Sequence, residues 1–413
     1  MAAQIESIKI DGIDVPVVYE QDKRLPIATT QLVFRNAGSI QDTQIAGLAK
    51  LSSRMLNEGT KKLGSNGFAE ALESRAIHIS SNCGKETFVI EVSSLKEEFA
   101  NSMEYLGDLL NDPNYTKSAL DKVKTTTIGS LSRKVNDYDY VASVELNKLL
   151  FEGSVLAQPS SGEIESVKKI TLKNVKDFID EHICLSRAIV VVGGDLSLKE
   201  VKKEISKVLK TLPKGKFEPL ENFKTSADSK ETVLDRETQQ AYIYFGAPYN
   251  MDVDDEEYYK ARVATFILGT GGFGSRLMEE IRVKRGLAYS AYARVHVSAS
   301  RSYINGYLQT KIESSDEAKK VVQEVFAEFV KKGVTKEELK QTKKFLLGSE
   351  PLRVETLSQR LHRTFMEYYK GFALDHSKEE LKKIEALKLK DLNNFIKKHP
   401  EILELSFAIV TKK

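Results

Sequence analysis

The spacing of apolar positions predicts short strands followed by helices, and this order occurs twice along the chain. The predicted strands lie at residues 17–20, 29–35, 77–81, 87–92 and 188–193, then at 241–246, 289–298, 303–310 and 405–410. The predicted helices lie at 45–57, 67–74 and within 95–181, then at 254–268, 275–284 and within 314–398. Runs of strands followed by runs of helices predict an α+β fold of two homologous domains. Each domain is expected to be a mostly antiparallel sheet with helices packed on one side.

Two sequence matches indicate that the second half repeats the first. The pattern Leu-Lys…Phe-Ile…His at 172–182 recurs at 389–399, and Thr-Lys-x-x-Leu-x-x-x-Lys at 116–124 recurs at 335–343. The offsets, 217 and 219 residues, nearly agree. Chance similarity between lysine-rich helices is the alternative. The repeat predicts a first domain at 1–212, a linker at 213–237 that is rich in Pro, Gly and charged residues, and a second domain at 238–413.

Composition narrows the class of protein. The net charge is only +3, and the basic residues alternate with acidic ones, so no basic stripe favours nucleic acid. No apolar run approaches the ~18–20 residues of a membrane-spanning helix. The first residues lack the basic and apolar regions of a signal peptide. We therefore expect a cytoplasmic protein for the chain as written, or a periplasmic one if a signal has been removed. Cys83 and Cys184 are expected to be free thiols.

Residues 47–60, Gly-Leu-Ala-Lys-Leu-Ser-Ser-Arg-Met-Leu-Asn-Glu-Gly-Thr, have the frame of a metal-binding helix without its ligands. The frame resembles the inverted zinc peptidases of the pitrilysin/insulinase type (inverzincins), whose helix reads Gly-Leu-Ala-His-x-x-Glu-His-Met-Leu-x-x-Gly-Thr. The resemblance implies that Lys50 and Arg54 stand where two histidines would hold zinc, and Ser53 where a glutamate would act as base. Two cations repel a divalent ion, and a serine is no base near neutral pH.

The third ligand in this family, a glutamate on a later helix, is also missing, because residues 122–136 contain no Asp or Glu. None of the six histidines lies within five residues of another. We therefore expect no metal and no cofactor in this chain. Lys50 and Arg54 are interpreted as a solvated helix face. His182 and His399 are interpreted as caps at helix C-termini.

A second segment keeps the family pattern. Residues 275–290, Ser-Arg-Leu-Met-Glu-Glu-Ile-Arg-Val-Lys-Arg-Gly-Leu-Ala-Tyr-Ser, match Ser-Arg-Leu-x-x-Glu-x-Arg-x-x-x-Gly-Leu-Ala-Tyr-Ser of the pitrilysin/insulinase type. The resemblance implies that Arg282 and Tyr289 reach a peptide across a closed chamber. A guanidinium and a phenol can both donate to a carbonyl or to a developing oxyanion. The alternative is a charged surface helix followed by a strand in which Tyr289 packs into the core.

The glycine-rich turn at 269–274 precedes this segment. Its Gly-x-Gly-x-x-Gly spacing fits the dinucleotide fingerprint, but it follows a predicted helix, and the fingerprint must follow a strand. The family resemblance implies that the turn borders the substrate chamber. Gly271, Gly272 and Phe273 are therefore candidate peptide contacts, and a plain turn between two helices is equally compatible with the pattern.

The resemblance implies a non-catalytic, substrate-binding subunit of a heterodimeric zinc endopeptidase, as in the mitochondrial processing peptidase. Such a subunit would be inactive alone. Its partners would be a zinc-bearing homologous subunit and a peptide or unfolded segment, with no nucleic acid and no membrane span. The alternative is a structural or assembly core protein of the same family. A self-sufficient peptidase with unusual ligands is disfavoured, because the histidines are not clustered.

Overall fold

Two β-sheets flanked by helices make up the protein, whose computed structural model describes residues 3–412. The strands of the first sheet are β1 (Gln4–Ile10), β2 (Ile13–Gln21), β3 (Ile27–Arg35), β4 (His78–Cys83), β5 (Thr87–Leu95) and β6 (Ala188–Gly194). The strands of the second sheet are β7 (Glu231–Asp235), β8 (Gln240–Pro248), β9 (Ala288–Val297), β10 (Ser302–Lys311) and β11 (Ser406–Thr411).

The helices divide between the two halves of the sequence. Those of the first half are α1 (Leu48–Leu56), α2 (Gly64–Glu73), α3 (Phe99–Asn111), α4 (Lys117–Lys134), α5 (Tyr138–Leu150), α6 (Ile164–Lys169), α7 (Leu172–His182) and α8 (Leu198–Leu209). Those of the second are α9 (Tyr258–Thr265), α10 (Arg276–Met278), α11 (Ser315–Lys332), α12 (Lys336–Gly348), α13 (Leu357–Tyr369), α14 (His376–Ala386) and α15 (Leu389–Lys397). Among the residues described, no helix has the length and apolarity to span a membrane.

The two sheets share one topology. Their strand orders are β1-β2-β6-β3-β5-β4 and β7-β11-β8-β10-β9, so each strand of the second sheet has a counterpart at the same place in the first. The pairs β2–β6 and β7–β11 are parallel, and the other neighbours are antiparallel. The predicted α+β fold with two mostly antiparallel sheets is confirmed. The matching order also supports a duplication, with β1 as an addition to the first sheet.

Three elements lie outside the predicted ones: β1, β7 and α8. Strand β7 falls inside the predicted linker at 213–237. Only its second and fourth residues are partly buried, since it is a short strand at the edge of the sheet. Such a strand has a weak pattern of its own and is recruited by pairing with β11, far away in the sequence. The domain boundaries at 212 and 238 stay a prediction.

Each sheet has a main core on one face. On the first sheet, Phe34 and Val190 pack with Met103 of α3 and Ile205 of α8. On the second, the Phe245 ring meets Phe326 of α11 edge-on, with 5.9 Å between the ring centroids. These helices show the apolar stripe of an amphipathic helix, which has to be buried against such a face.

The second face of each sheet is covered by a helix from the other half of the sequence. One compact unit contains the chain up to Ser132, Pro159–Leu220 and Arg353–Tyr369, so it includes α13. The other unit contains Arg133–Gln158, Glu221–Leu352 and the chain from Lys370 onward, so it includes α5. Helices α5 and α13 have 13 residues each and start 219 residues apart, which is the offset of one sequence match. The prediction that helices pack on only one side of each sheet is therefore incomplete, because α5 and α13 cover the other side.

Helix α13 is tied to the first sheet by apolar and ionic contacts. Leu361 and Phe365 pack on Val18 and Val191. The Arg360 guanidinium donates to the carboxylates of Glu20 at 2.7 Å and Asp22 at 2.8 Å. The Glu20 side chain lies almost completely inside the protein, so its negative charge depends on Arg360 for compensation.

Replacing Arg360 with alanine should lower the free energy of unfolding by about 3–5 kcal/mol, because it leaves the buried Glu20 carboxylate without its cation. Urea denaturation would measure the change. The matched control is Lys173→Ala, which removes an exposed pair with Asp177 and should cost less than about 0.5 kcal/mol. Equal effects of the two substitutions would contradict the role given to Arg360.

Candidate functional site

The helix with the metal-binding frame, α1, starts at a closely packed turn. Gly47 has φ +91°, and an added Cβ would lie 2.8 Å from the Ser161 carbonyl oxygen, so only glycine fits. The Asp42 carboxylate accepts hydrogen bonds from the backbone N–H groups of Gly47 at 3.0 Å and Ala49 at 2.8 Å. These bonds satisfy amides that the helix itself leaves unpaired. The family-like frame Gly-Leu-Ala thus reflects a packed helix start.

Lys50 and Arg54 connect α1 to its neighbours. The Lys50 ammonium donates to the Asn82 side chain and, at 3.1 Å, to the Cys83 carbonyl oxygen on β4. Arg54 donates to the Thr127 hydroxyl on α4 at 2.7 Å, and partial burial lowers the pKa of its guanidinium. The interpretation of these two residues as a solvated helix face is therefore wrong. Their side chains bridge elements of the first unit.

The remaining positions do not fit zinc either. Ser53 is 1% exposed, and its hydroxyl donates to the Lys50 carbonyl oxygen at 2.8 Å, so the hydroxyl is buried and hydrogen-bonded within its own helix. Within residues 3–412, no group of three or more His, Cys, Asp or Glu side chains could hold a metal ion. Thr127 of α4 accepts the hydrogen bond from Arg54, so we predict that this is the position from which a third ligand on the later helix would reach α1. The sequence shows that the later helix has no Asp or Glu at residues 122–136. It does not single out Thr127, because no sequence pattern shows which side of α4 faces α1.

The two repeat-related histidines have different surroundings. Burial lowers the pKa of His182 to about 4, and its buried Nδ1 makes no hydrogen bond within the described chain, so the ring does not cap the helix end as a cation. The capping interpretation is wrong for His182. His399 lies within 2.8 Å of the Glu401 carboxylate and stacks on Tyr249 with 4.7 Å between the ring centroids.

The second candidate segment is built on a wide helical turn. Helix α10 continues into a π-helical turn, Glu279–Val283, in which the Lys284 N–H donates to the Glu279 carbonyl oxygen at 2.9 Å. Gly286, with φ +63°, then reverses the chain into β9. The wide turn places Arg282 shortly before the strand that carries Tyr289. Turns of this type are frequent at functional sites.

Arg282, Phe273 and Tyr289 form one exposed cluster, here called the Arg282 cluster. The Arg282 guanidinium carbon lies 4.2 Å from the centroid of the Tyr289 ring and 4.5 Å from that of Phe273. Tyr289 is 81% exposed and Phe273 is 66% exposed, so the alternative in which Tyr289 packs into the core is wrong. No hydrogen bond or ion pair joins the guanidinium to another residue of the described chain. Its donors are thus available to a ligand.

The glycine-rich turn carries Phe273 into this cluster. It follows helix α9 and a π-helical turn, Phe266–Thr270, which excludes the strand that a dinucleotide fingerprint requires. A Cβ on Gly271 would lie 2.7 Å from the Phe266 carbonyl oxygen, and Gly272 has φ +60°. Both glycines are needed for the turn itself. Peptide contacts by Gly271, Gly272 and Phe273 stay a prediction.

The protein combines a duplicated unit of strands and helices, a metal-helix frame in which Lys50 and Arg54 occupy the ligand positions, and an exposed Arg/Tyr pair. These are the features of a peptidase-like protein. Residues 16–160 match the family described as Insulinase (Peptidase family M16), and residues 169–346 match the Peptidase M16 inactive domain. The chain belongs to the M16 peptidase family.

Individual relatives agree with this assignment. The chain is 42% identical to "Non-peptidase homolog YmxG" of Helicobacter pylori over 412 residues, which is 100% of this chain and 95% of that protein. It is 23% identical to "Uncharacterized zinc protease YmxG" of Bacillus subtilis over 80% of each chain. The crystal structure of a peptidase M16 inactive domain from Pseudomonas fluorescens superposes with a TM-score of 0.91, at 24% identity, over 99% of this chain and 98% of the other.

Proposed function

We propose that this chain is the non-catalytic, substrate-binding subunit of a heterodimeric zinc endopeptidase, with the zinc in its partner. The observation that carries the proposal is the contrast between two sites of one family. At the positions of the metal ligands, Lys50 and Arg54 make hydrogen bonds to neighbouring elements of the same chain. The Arg282 cluster, by comparison, has its aromatic rings exposed and its guanidinium without a hydrogen-bond partner in the described chain.

Exposure of the Arg282 cluster has a physical cost that favours a ligand-binding role. Two large aromatic rings at the surface gain little stability from the fold, since they remain in water. A guanidinium held near aromatic rings loses less conformational freedom when it binds an acceptor, because its position is partly determined in advance. In the proposed complex, Arg282 and Tyr289 donate to a peptide carbonyl next to the partner's zinc, and they supply no base and no metal ligand.

The test is reconstitution with a homologue that carries the complete His-x-x-Glu-His helix. The chain alone should not cleave an unstructured peptide, because Lys50, Ser53 and Arg54 replace the residues that would hold zinc and activate its water. Mixed with the zinc-bearing homologue, it should raise that protein's turnover, and a chelator should abolish the gain. Chelator-sensitive cleavage by the pure single chain would overturn the proposal, as would association of the two chains without any change in turnover.

A further inference from the structure

The helix with the metal-binding frame, α1, also covers a sheet edge. Strand β4 is the last strand of the first sheet, and in the described chain it pairs only with β5. Alternate residues of such a strand direct their backbone N–H and C=O groups away from the sheet, and these groups can pair with an added strand. Extended peptides bind to proteins in this way. The outward backbone groups of β4 therefore deserve the same accounting as a binding site.

Asn57, at the C-terminal end of α1, occupies the outward groups of Ser81 on β4. Its side-chain nitrogen donates to the Ser81 carbonyl oxygen at 3.0 Å, and its side-chain oxygen accepts from the Ser81 N–H at 2.7 Å. The amide group of Asn57 thus makes the two hydrogen bonds that a residue of an added strand would make. Ser81 is 6% exposed, so little of it is open to another chain.

The outward groups of Cys83, two residues further along β4, are occupied as well. The Cys83 carbonyl oxygen accepts from Lys50 Nζ at 3.1 Å, and the Cys83 N–H donates to the side-chain oxygen of Asn82 at 2.9 Å. That oxygen is also bound by Lys50. Because Lys50 and Asn57 are seven residues apart, they lie on the same face of the helix. One face of α1 therefore fills the outward groups at two successive positions of the edge.

We propose that α1 closes the edge of β4 to peptide strands, and that Asn57 and Lys50 are the residues that exclude them. An added strand has to displace both side chains, and at these positions it forms no more hydrogen bonds than it breaks. A helix with the frame of a metal-binding element thus serves as the cover of a sheet edge, with Lys50 at the position of a ligand. The inference does not rest on the proposed function, because it makes no use of the Arg282 cluster.

Peptide binding to a variant with an uncovered edge tests the proposal. Lys50→Met and Asn57→Leu together nearly keep the size of both side chains and remove their hydrogen-bonding groups. The probe is a fluorescently labelled peptide of alternating threonine and valine with lysine at both ends. Its control is the same peptide N-methylated along its central residues, which then lack the N–H groups that pair with a strand. Fluorescence anisotropy should show about tenfold tighter binding of the unmethylated peptide to the variant, the size of two backbone hydrogen bonds. The unchanged chain should not distinguish the two peptides.

Ser81→Pro, added to the double variant, is the matched control for the position of binding. Proline removes the outward N–H that the peptide would use, and an edge strand tolerates it. It should abolish the gain in binding. Binding that persists with Ser81→Pro would overturn the proposal, as would a folded double variant that gains none. A preference of the unchanged chain for the unmethylated peptide that Ser81→Pro removes would show that the edge is already open.

Hydrogen exchange of the unchanged chain decides the question even if the double variant does not fold. The Ser81 amide should exchange at least about tenfold more slowly than in an unstructured peptide, because its hydrogen is bound by Asn57. Asn57→Leu alone should raise this rate and leave the amides of the inner strand β3 unchanged. Exchange of the Ser81 amide at the unstructured rate in the unchanged chain would contradict the closed edge.

Discussion

Tyr289→Phe should reduce the turnover of the reconstituted complex by roughly 100- to 1,000-fold, if the hydroxyl donates to the oxyanion at the partner's zinc. The loss of one such donor typically costs about 2.7–4 kcal/mol in the transition state. The ring stays in place, and Tyr289 is 81% exposed, so the substitution should leave the stability of the folded chain unchanged. Steady-state kinetics with an unstructured peptide, together with a thermal melt of the single chain, would measure both effects.

Tyr292→Phe is the matched control, since it removes the same atom from the same strand, β9, at a ring that faces Tyr307 rather than Arg282. Its turnover should stay close to that of the unchanged chain. Arg282→Lys should be nearly as damaging as Tyr289→Phe, because an ammonium cannot reproduce the two-pronged donation of a guanidinium. Full activity of both Tyr289→Phe and Arg282→Lys, at normal subunit association, would mean that the chain only supports its partner.

Zinc binding should appear when four residues are changed together: Lys50→His, Ser53→Glu, Arg54→His and Thr127→Glu. The first three restore two imidazoles one helical turn apart and the base between them. The fourth supplies a carboxylate from α4 at the residue that now accepts a hydrogen bond from Arg54 at 2.7 Å. Elemental analysis after dialysis should find about one zinc per chain, since a catalytic site uses three protein ligands and a water.

The triple variant without Thr127→Glu is the control, and it should retain little zinc, because two histidines alone bind weakly. Circular dichroism should establish that both variants remain folded, since Ser53 is almost fully buried and a glutamate there needs the space left by Lys50 and Arg54. Equal zinc content in the triple and quadruple variants would disprove the assignment of Thr127. A folded quadruple variant without zinc would do the same.

Much of the fold could be predicted from local patterns. Strands such as β3 and β10 and helices such as α1 and α11 have strong periodicity, because one face of each is buried against a core. Strand β7 was not predicted, since it is short and weakly patterned and is held by pairing with β11, which is distant in the sequence. Strand β1 was also not predicted, although its buried Ile8 and Ile10 alternate with exposed residues. Helices α5 and α13 were expected on one side of their own half. Their packing on the other half's sheet depends on contacts that no local pattern encodes.

The amino-acid sequence alone determined the α+β class, the repeat, the loss of the zinc ligands and the survival of the Arg/Tyr segment. These features follow from residue types and their spacing, and they can be inferred without coordinates. Only the tertiary structure decided what the altered residues do. It placed Lys50 against β4 and Arg54 against Thr127, and it brought Arg282 next to two exposed rings. The physical reason is that pairing, burial and exposure belong to side chains from separate segments, and only the packed chain sets their distances.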